Sequence, residues 1–231
     1  MLQKTIKNKI KISGHSLHSN QNCDIVLTPA VDNYGIRING IEISPFNVTN
    51  TNGMTIIKNY SMIEHLMSAL FSLGIDNIDI KTSGSNELPI LDGCSKTYIN
   101  KILRAGIKEL ESQKNIIKIN SEILVKINDS YIKFIPTNQN IIQFNCQVDF
   151  PYVGYQEYSW DSNDFNSYYN NISNALTFFW DEQLEIVQSN SGAKGITATN
   201  TIILTKKNCD QYKKSEFARH KILDLIRLKF F

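Results

Sequence analysis

Histidines at positions 15, 18, 65 and 220 are the first residues in this sequence that could support metal chemistry. His220 is followed four residues later by Asp224, and on an α-helix residues at that spacing project from one face. An imidazole and a carboxylate on one face could bind a single metal ion. The same spacing is far more common in surface pairs that bind nothing, so the pattern indicates only a candidate site.

His65 is the second candidate, because it follows Glu64 directly. One interpretation needs no catalysis: Ser61 caps a helix and Glu64, three residues later, completes a capping box. In the other interpretation His65 binds a metal ion and Glu64, projecting about 100° away around the helix, acts as a general base. The two interpretations are compatible, and both stay open at this point.

Hydrophobic periodicity predicts the elements that position these residues. Apolar residues recur at helical spacing over residues 61–73, and Gly74 stands where a helix C-cap belongs. A second helical pattern covers residues 216–228 and carries His220 and Asp224. Patterning also predicts strands at residues 5–12, 24–27 and 75–80, turns between strands at residues 33–40, and a helix at residues 95–105 that ends at Gly106.

The polar stretch at residues 108–118 predicts a connection, so we place a domain boundary there, with domains at 1–112 and 113–231. Beyond it the patterns predict strands at residues 116–127, 131–135 and 141–148, a long loop at 148–170, and helices at 165–181 and 216–228. Strands followed by helices thus occur twice. We expect an α+β fold of two similar domains, each a mainly antiparallel sheet packed with helices.

Composition excludes several classes of function. The 231 residues are 42% hydrophobic, and 24 basic residues nearly balance 22 acidic ones, which gives no general attraction for nucleic acid. No run approaches the roughly 18 apolar residues of a membrane span, so we expect no stable membrane insertion. The N-terminal residues lack a secretory signal and the four cysteines form no CxxC pair, which together predict a cytoplasmic protein. Nothing in the sequence indicates a protein partner.

Five segments, in the same order along the chain, resemble the UDP-3-O-acyl-N-acetylglucosamine deacetylases, which are zinc enzymes of lipid A synthesis. SMIEHLMSALFSLGIDN at residues 61–77 resembles the helix with the family's first zinc histidine and general base. EFARHKILD at residues 216–224 resembles the helix with its second zinc histidine and its zinc aspartate. The other three segments are ELPILDG at residues 87–93, AGIKEL at 105–110 and ALTFFW at 175–180.

The resemblance implies a role for each matching residue. His65, His220 and Asp224 would hold zinc between the two domains, and Glu64 would take the proton of the attacking water. The Thr177 hydroxyl would stabilise the oxyanion that forms as the acetyl group of UDP-3-O-acyl-N-acetylglucosamine is hydrolysed. Lys221 and Phe178 would contact the substrate, the lysine at a phosphate. His18 matches a segment near the family's N-terminus, but a turn histidine is an equally good interpretation, and His15 has no counterpart.

Family members continue for several dozen residues past the zinc aspartate and carry another histidine there, whereas this sequence ends at Phe231. The resemblance therefore implies a deacetylase shortened at its C-terminus, with lowered activity if that histidine is lost. A non-catalytic descendant that binds zinc or the UDP-sugar lipid without turnover is the alternative.

Overall fold

A computed structural model describes residues 1–51, 53–190, 192–212 and 215–226 of the chain. The strands are β1 (Leu2–Ile6), β2 (Ile10–His15), β3 (Asn22–Pro29), β4 (Ile36–Ile38), β5 (Ile41–Glu42), β6 (Val48–Asn50), β7 (Ile56–Ile57), β8 (Tyr60–Ser61), β9 (Ile78–Ser83), β10 (Ile107–Gln113), β11 (Ile123–Ile127), β12 (Ser130–Phe134), β13 (Gln143–Phe150), β14 (Gly154–Asp161), β15 (Thr177–Trp180) and β16 (Thr201–Leu204). The helices are α1 (Glu64–Ser72), α2 (Lys96–Ala105), α3 (Phe165–Ser167), α4 (Asp181–Ser189) and α5 (Glu216–Leu225), with a π-helical turn at Tyr168–Ile172 and 3-10 turns at Pro45–Asn47 and Cys209–Gln211. The predicted α+β class is confirmed.

The largest sheet in the described residues has five strands in the order β2-β3-β9-β4-β5. Its neighbours are antiparallel except for β4 and β9, which run parallel. Along β3 the apolar Cys23, Ile25 and Leu27 are buried, while the residues between them are less so. This alternation is what a sheet with one face on a core requires, and helices α1 and α2 supply residues to the same core.

The second half of the chain is built from strand pairs. β11 and β12 form an antiparallel hairpin, β13 and β14 form another, and β15 pairs with β16 in parallel. Helix α5 packs against β13 and β14 and against α1. Through these contacts the second half of the chain is brought against the helix that carries His65.

One hydrophobic core contains residues from both halves, from Ile6 to Ile226. The ring of Phe71 on α1 lies 6.3 Å from that of Phe144 and 6.2 Å from that of Trp160, edge to face in both cases. Aromatic pairs at this separation add to the stabilisation from burial alone. The two halves therefore share packing.

Helices α1 and α2 occur where periodicity predicts them, and each is followed by a glycine with positive φ, +69° at Gly74 and +76° at Gly106. Helix α5 ends at Leu225, and the predicted end at residue 228 lies outside the described residues. The predicted strand at residues 5–12 is broken at its middle. There the amides of Lys7 and Asn8 donate to carbonyl groups at the end of α2.

The predicted connection at residues 108–118 is wrong over its first half, because β10 occupies Ile107–Gln113 and pairs antiparallel with β1. Its polar residues face solvent from a two-stranded sheet, so a strand here needs little apolar character. The strand predicted to start at residue 116 begins at Ile123. The domain boundary at residue 112 stays a prediction.

The loop predicted at residues 148–170 is also wrong, because most of it belongs to the hairpin of β13 and β14, whose turn is closed by Gly154 with φ +76°. The helix predicted at residues 165–181 is helical from Phe165 through Ile172 and again only at Asp181, where α4 begins. Between them lies β15, whose three aromatic side chains fit a pleated surface. Helix α4 follows and was not predicted.

All four cysteines are buried free thiols. Burial raises the pKa of Cys23 and of Cys146 from the ordinary 9.0 to about 11. Separately, no helix within the described ranges combines the length and the apolar character needed to cross a bilayer.

Candidate metal centre and active site

Helix α1 places Glu64 and His65 in its first turn. The helix is buried on nearly every side, with Glu64 4% and His65 3% exposed. Its apolar residues, among them Leu66 and Leu70, belong to the main core and fix the helix in place. Two polar side chains are therefore held at a buried position where their direction is set by the packing of the helix.

The capping box predicted for Ser61 does not form. Ser61 lies in β8, and α1 begins at Glu64 with Ile63 before it. The Glu64 Oε1 atom instead accepts a hydrogen bond of 2.9 Å from the backbone amide of Thr55. Met62 takes a positive φ of 58°, which is outside the right-handed helical region, and Ile63 rather than Ser61 occupies the N-cap position of α1.

Helix α5 places His220 and Asp224 one turn apart, and its packing against α1 brings them to His65. The ligand atoms of His65, His220 and Asp224 all lie within 4.8 Å of one another. The two imidazole rings are 5.5 Å apart between centroids and nearly perpendicular, and His220 Nε2 lies 3.7 Å from Asp224 Oδ1. The structure thus brings together three residues that the sequence separates by up to 159 positions.

The ring of His220 is oriented by the main chain. Its Nδ1 lies 2.9 Å from the carbonyl oxygen of Ala175, which only accepts hydrogen bonds, so Nδ1 carries the proton and Nε2 keeps its lone pair toward Asp224. Burial lowers the pKa of His220 below its ordinary value, against the raising effect of Asp224. A neutral imidazole with a lone pair on Nε2 is the form that binds a metal ion.

Asp224 is held by Lys221, whose Nζ donates to Asp224 Oδ2 at 3.0 Å. The same ammonium group lies 5.2 Å from the centroid of the Phe178 ring, and that ring packs edge-on against His220 at 5.9 Å. Lys221 is 40% exposed, so it can meet a ligand as well as Asp224. Phe178, Lys221 and the metal-binding candidates therefore form one cluster.

Thr177 begins β15 beside this cluster, and its backbone amide donates to the carbonyl oxygen of Gly93 at 2.9 Å. Gly93 has φ +74°, and a Cβ atom there would overlap the carbonyl oxygen of Asn200. Only glycine allows this close approach. The ELPILDG segment thus supports the strand that carries Thr177 and Phe178.

The donor set fits a zinc ion. Two imidazoles and one carboxylate are a common set of protein ligands at catalytic zinc sites, which keep a fourth position for water or substrate. His220 also has the oriented second nitrogen that metal-binding histidines almost always show. The residues present are therefore suited to hold a metal ion.

Some residues that shape this site were not predicted from the sequence. The carbonyl of Ala175 is one, and the buried pair of Glu216 and Arg219 on α5 is another. Their spacing of three on a helix was the available signal. His18 does not join the metal-binding group, and its backbone amide donates to Glu87 Oε1 at 2.7 Å.

Comparison with known proteins identifies the family to which this chain belongs. The sequence model of the LpxC family, UDP-3-O-acyl N-acetylglycosamine deacetylase, matches residues 3–227. A UDP-3-O-acyl-N-acetylglucosamine deacetylase of Nautilia profundicola is 35% identical over 98% of this chain and 81% of its own length. The deacetylases of Wigglesworthia glossinidia brevipalpis and Campylobacter jejuni subsp. jejuni are 36% and 33% identical, over 97% and 98% of this chain and 81% of their own lengths. With a family match over almost the whole chain and these relatives, the chain belongs to the UDP-3-O-acyl-N-acetylglucosamine deacetylase family.

Proposed function

We propose that this chain hydrolyses the N-acetyl group of UDP-3-O-acyl-N-acetylglucosamine in lipid A biosynthesis and uses a zinc ion held by His65, His220 and Asp224. The observation that carries the proposal is the meeting of these three ligand groups within 4.8 Å, next to Glu64 on α1. Membership of the deacetylase family supports the reaction, and the donor set supports the metal.

A zinc ion bound here would lower the pKa of a coordinated water molecule to about 7 and polarise the amide carbonyl. Glu64 would accept a proton as the water oxygen bonds to the acetamide carbon. The bond from that carbon to the glucosamine nitrogen then breaks, acetate leaves, and the nitrogen takes up a proton to become the amine. The hydrogen bond from Thr55 to Glu64 Oε1 orients the carboxylate for this role.

Three further residues would act on the substrate. The Thr177 hydroxyl would donate to the oxygen that gains negative charge as the amide carbon becomes tetrahedral. Lys221, an exposed cation beside the cluster, would bind a phosphate of the UDP group. Phe178, packed between His220 and Lys221, would line the path from the acetyl group to the phosphates.

We infer that the metal lies between two lobes, 1–112 and 113–231, because His65 comes from the first and His220 and Asp224 from the second. We also place the reaction in the cytoplasm. Four free thiols agree with a reducing compartment, and a nucleotide sugar is the substrate.

The test compares zinc content and acetate release for the wild-type chain, His220→Ala and His15→Ala. His15 is an exposed histidine outside the metal-binding group, so its removal is a matched control. We expect about one zinc per chain in the wild type and in His15→Ala, and loss of both zinc and acetate release in His220→Ala. Purified protein is first freed of metal and then reconstituted.

The outcomes separate the parts of the proposal. Zinc that stays bound in His220→Ala would contradict the ligand set. Zinc bound without acetate release by the wild-type chain would instead support a non-catalytic descendant that binds zinc or the UDP-sugar lipid.

A further inference from the structure

Three side chains of helix α5 form hydrogen bonds with main-chain atoms of the segment from Asn171 to Leu176. Arg219 Nη1 donates to the carbonyl oxygen of Asn171 at 2.6 Å, and His220 Nδ1 donates to that of Ala175 at 2.9 Å. Glu216 Oε1 accepts from the backbone amide of Leu176 at 3.1 Å. One metal-binding candidate, His220, thus shares its anchoring segment with Glu216 and Arg219, which are neither metal-binding candidates nor substrate contacts in the function proposed above.

Glu216 and Arg219 also bind each other. Arg219 Nη2 lies 2.5 Å from Glu216 Oε2, and their side chains are only 7% and 13% exposed. A buried ion pair contributes little net stability, because removing two charges from water costs about as much as their attraction returns. Two apolar side chains of similar size would hold the helix in place as well. The contacts of the pair with the segment are therefore the more informative feature.

These contacts fall on both sides of Ala175. Arg219 holds the segment four residues before it, and Glu216 holds it one residue after it. From the other side, the backbone amide of Ser95 donates to the carbonyl oxygen of Ser173 at 3.1 Å. The position of the Ala175 carbonyl relative to α5 is thus set by groups that flank it.

We propose that Glu216 and Arg219 are positioning residues for the metal centre, which act on His220 through the Ala175 carbonyl. The ion pair holds the segment at the distance where Ala175 accepts from Nδ1. That hydrogen bond keeps His220 in one tautomer and one orientation, with Nε2 aimed at the metal position. The part that concerns metal affinity rests on the function proposed above, whereas the tautomer of His220 does not.

The decisive variant replaces both charges, Glu216→Leu together with Arg219→Met, so that no buried charge is left without its partner. Its matched control replaces a second, partly buried ion pair in the same way, Asp76→Leu together with Lys114→Met. Lys114 Nζ lies 2.8 Å from Asp76, and both residues bind main-chain groups, Lys114 at Gly74 and Asp76 at Lys4. The control therefore removes a comparable ion pair that binds Gly74 and Lys4 and not the segment from Asn171 to Leu176.

The first readout is the Nδ1 proton of His220 in metal-free protein, observed by NMR with ¹⁵N-labelled histidine at a single pH. We expect one tautomer with slow proton exchange in the wild type and in the control. In the Glu216 and Arg219 variant we expect mixed tautomers and exchange faster by about tenfold or more. The second readout is the Kd for zinc, which should rise about 10–100-fold in that variant alone, as for other partners of metal-binding histidines.

The proposal is overturned if the folded variant keeps the wild-type tautomer, proton exchange rate and zinc Kd. It is also overturned if the control changes equally, because the effect would then come from a general loss of stability. If the double variant does not fold, Arg219→Lys serves, because one ammonium cannot reach Asn171 and Glu216 in the geometry of the guanidinium fork. Arg219→Lys should change the tautomer, the exchange rate and the zinc Kd in the same direction but less. A folded Arg219→Lys protein without these changes would contradict the proposal. Failure of deacetylation in the wild type would affect the proposed function and leave the NMR result intact.

Discussion

Glu64 had two interpretations from the sequence, a helix-capping residue and a general base, and the structure bears on the first. Its carboxylate does not cap the helix with Ser61 but accepts from the amide of Thr55 and lies next to His65. The resemblance to the deacetylases singled out His65, His220 and Asp224, whose ligand atoms the fold brings together, and their binding of zinc stays a prediction. The sequence could not predict Ala175 as the partner of His220, since every residue carries the same carbonyl group and only the fold selects one.

Glu64→Gln tests the general base. The amide oxygen of glutamine can still accept from Thr55, so the side chain should keep its place while losing the ability to take a proton. We expect kcat to fall by about 10²–10⁴-fold with zinc content unchanged. Measurement of kcat and bound zinc checks this, with the exposed Glu111→Gln as the control. Loss of zinc in Glu64→Gln would assign the residue to the metal site instead.

Cys23 provides a prediction on pH. Burial raises its pKa from 9.0 to about 11 in the folded chain, so above pH 9 the unfolded chain loses this proton first. The unfolded state then binds fewer protons, and stability falls as the pH rises from 9 toward 11, by less than about 1.4 kcal/mol per pH unit. The measurement is urea unfolding of the wild type and of Cys23→Ala from pH 8 to 10.5. Over this range the free energy of unfolding of the wild type should fall relative to that of Cys23→Ala. A constant difference would mean that the thiol does not titrate differently on folding.

At the scale of elements, three of the four predicted helices form, as α1, α2 and α5, whereas strands β10 and β15 could not be predicted from local pattern. Helix α1 shows its apolar spacing within one segment, and Gly74 marks its end. The strand β10 is polar and forms only because β1, about a hundred residues earlier, offers its edge. Strand β15 was hidden in a predicted helix, since its extended form depends on parallel pairing with β16 and on the bond from the Thr177 amide to Gly93, both from distant parts of the chain.

The close packing of Gly93 near β15 predicts that substitution of Gly93 costs more stability than substitution of Gly40. Gly93 and Gly40 both have positive φ, +74° and +85°, but a Cβ atom at Gly40 meets nothing within 4 Å. We expect Gly40→Ala to cost about 1–2 kcal/mol from backbone strain alone. Gly93→Ala should cost more than about 4 kcal/mol and also lower deacetylation, because it displaces Asn200 and the partner of Thr177. Chemical denaturation and activity assays check both variants, and equal losses would contradict the close approach at Gly93.

At the scale of the whole molecule, the shared core predicts that the two halves of the chain, before and after residue 112, unfold together. Phe71 joins Phe144 and Trp160 across the predicted boundary. Phe71→Ala should lower the free energy of unfolding by about 3–5 kcal/mol, and near-UV and far-UV circular dichroism should report one common transition. Phe46→Ala, at a ring that is 93% exposed, should change stability by less than about 0.5 kcal/mol. Two separate transitions would show that the two halves unfold independently.

The four buried thiols can report when the protein opens locally or unfolds. Cys23 and Cys94 lie before the proposed boundary at residue 112, and Cys146 and Cys209 lie after it. A thiol-specific reagent reacts with the thiolate, so each of these sites is shielded until its surroundings open. Mass spectrometry of labelled peptides can therefore time the exposure of each half of the unaltered chain, without an introduced probe. The same property means that a denatured sample exposes four reactive groups at once and must be refolded under reducing conditions.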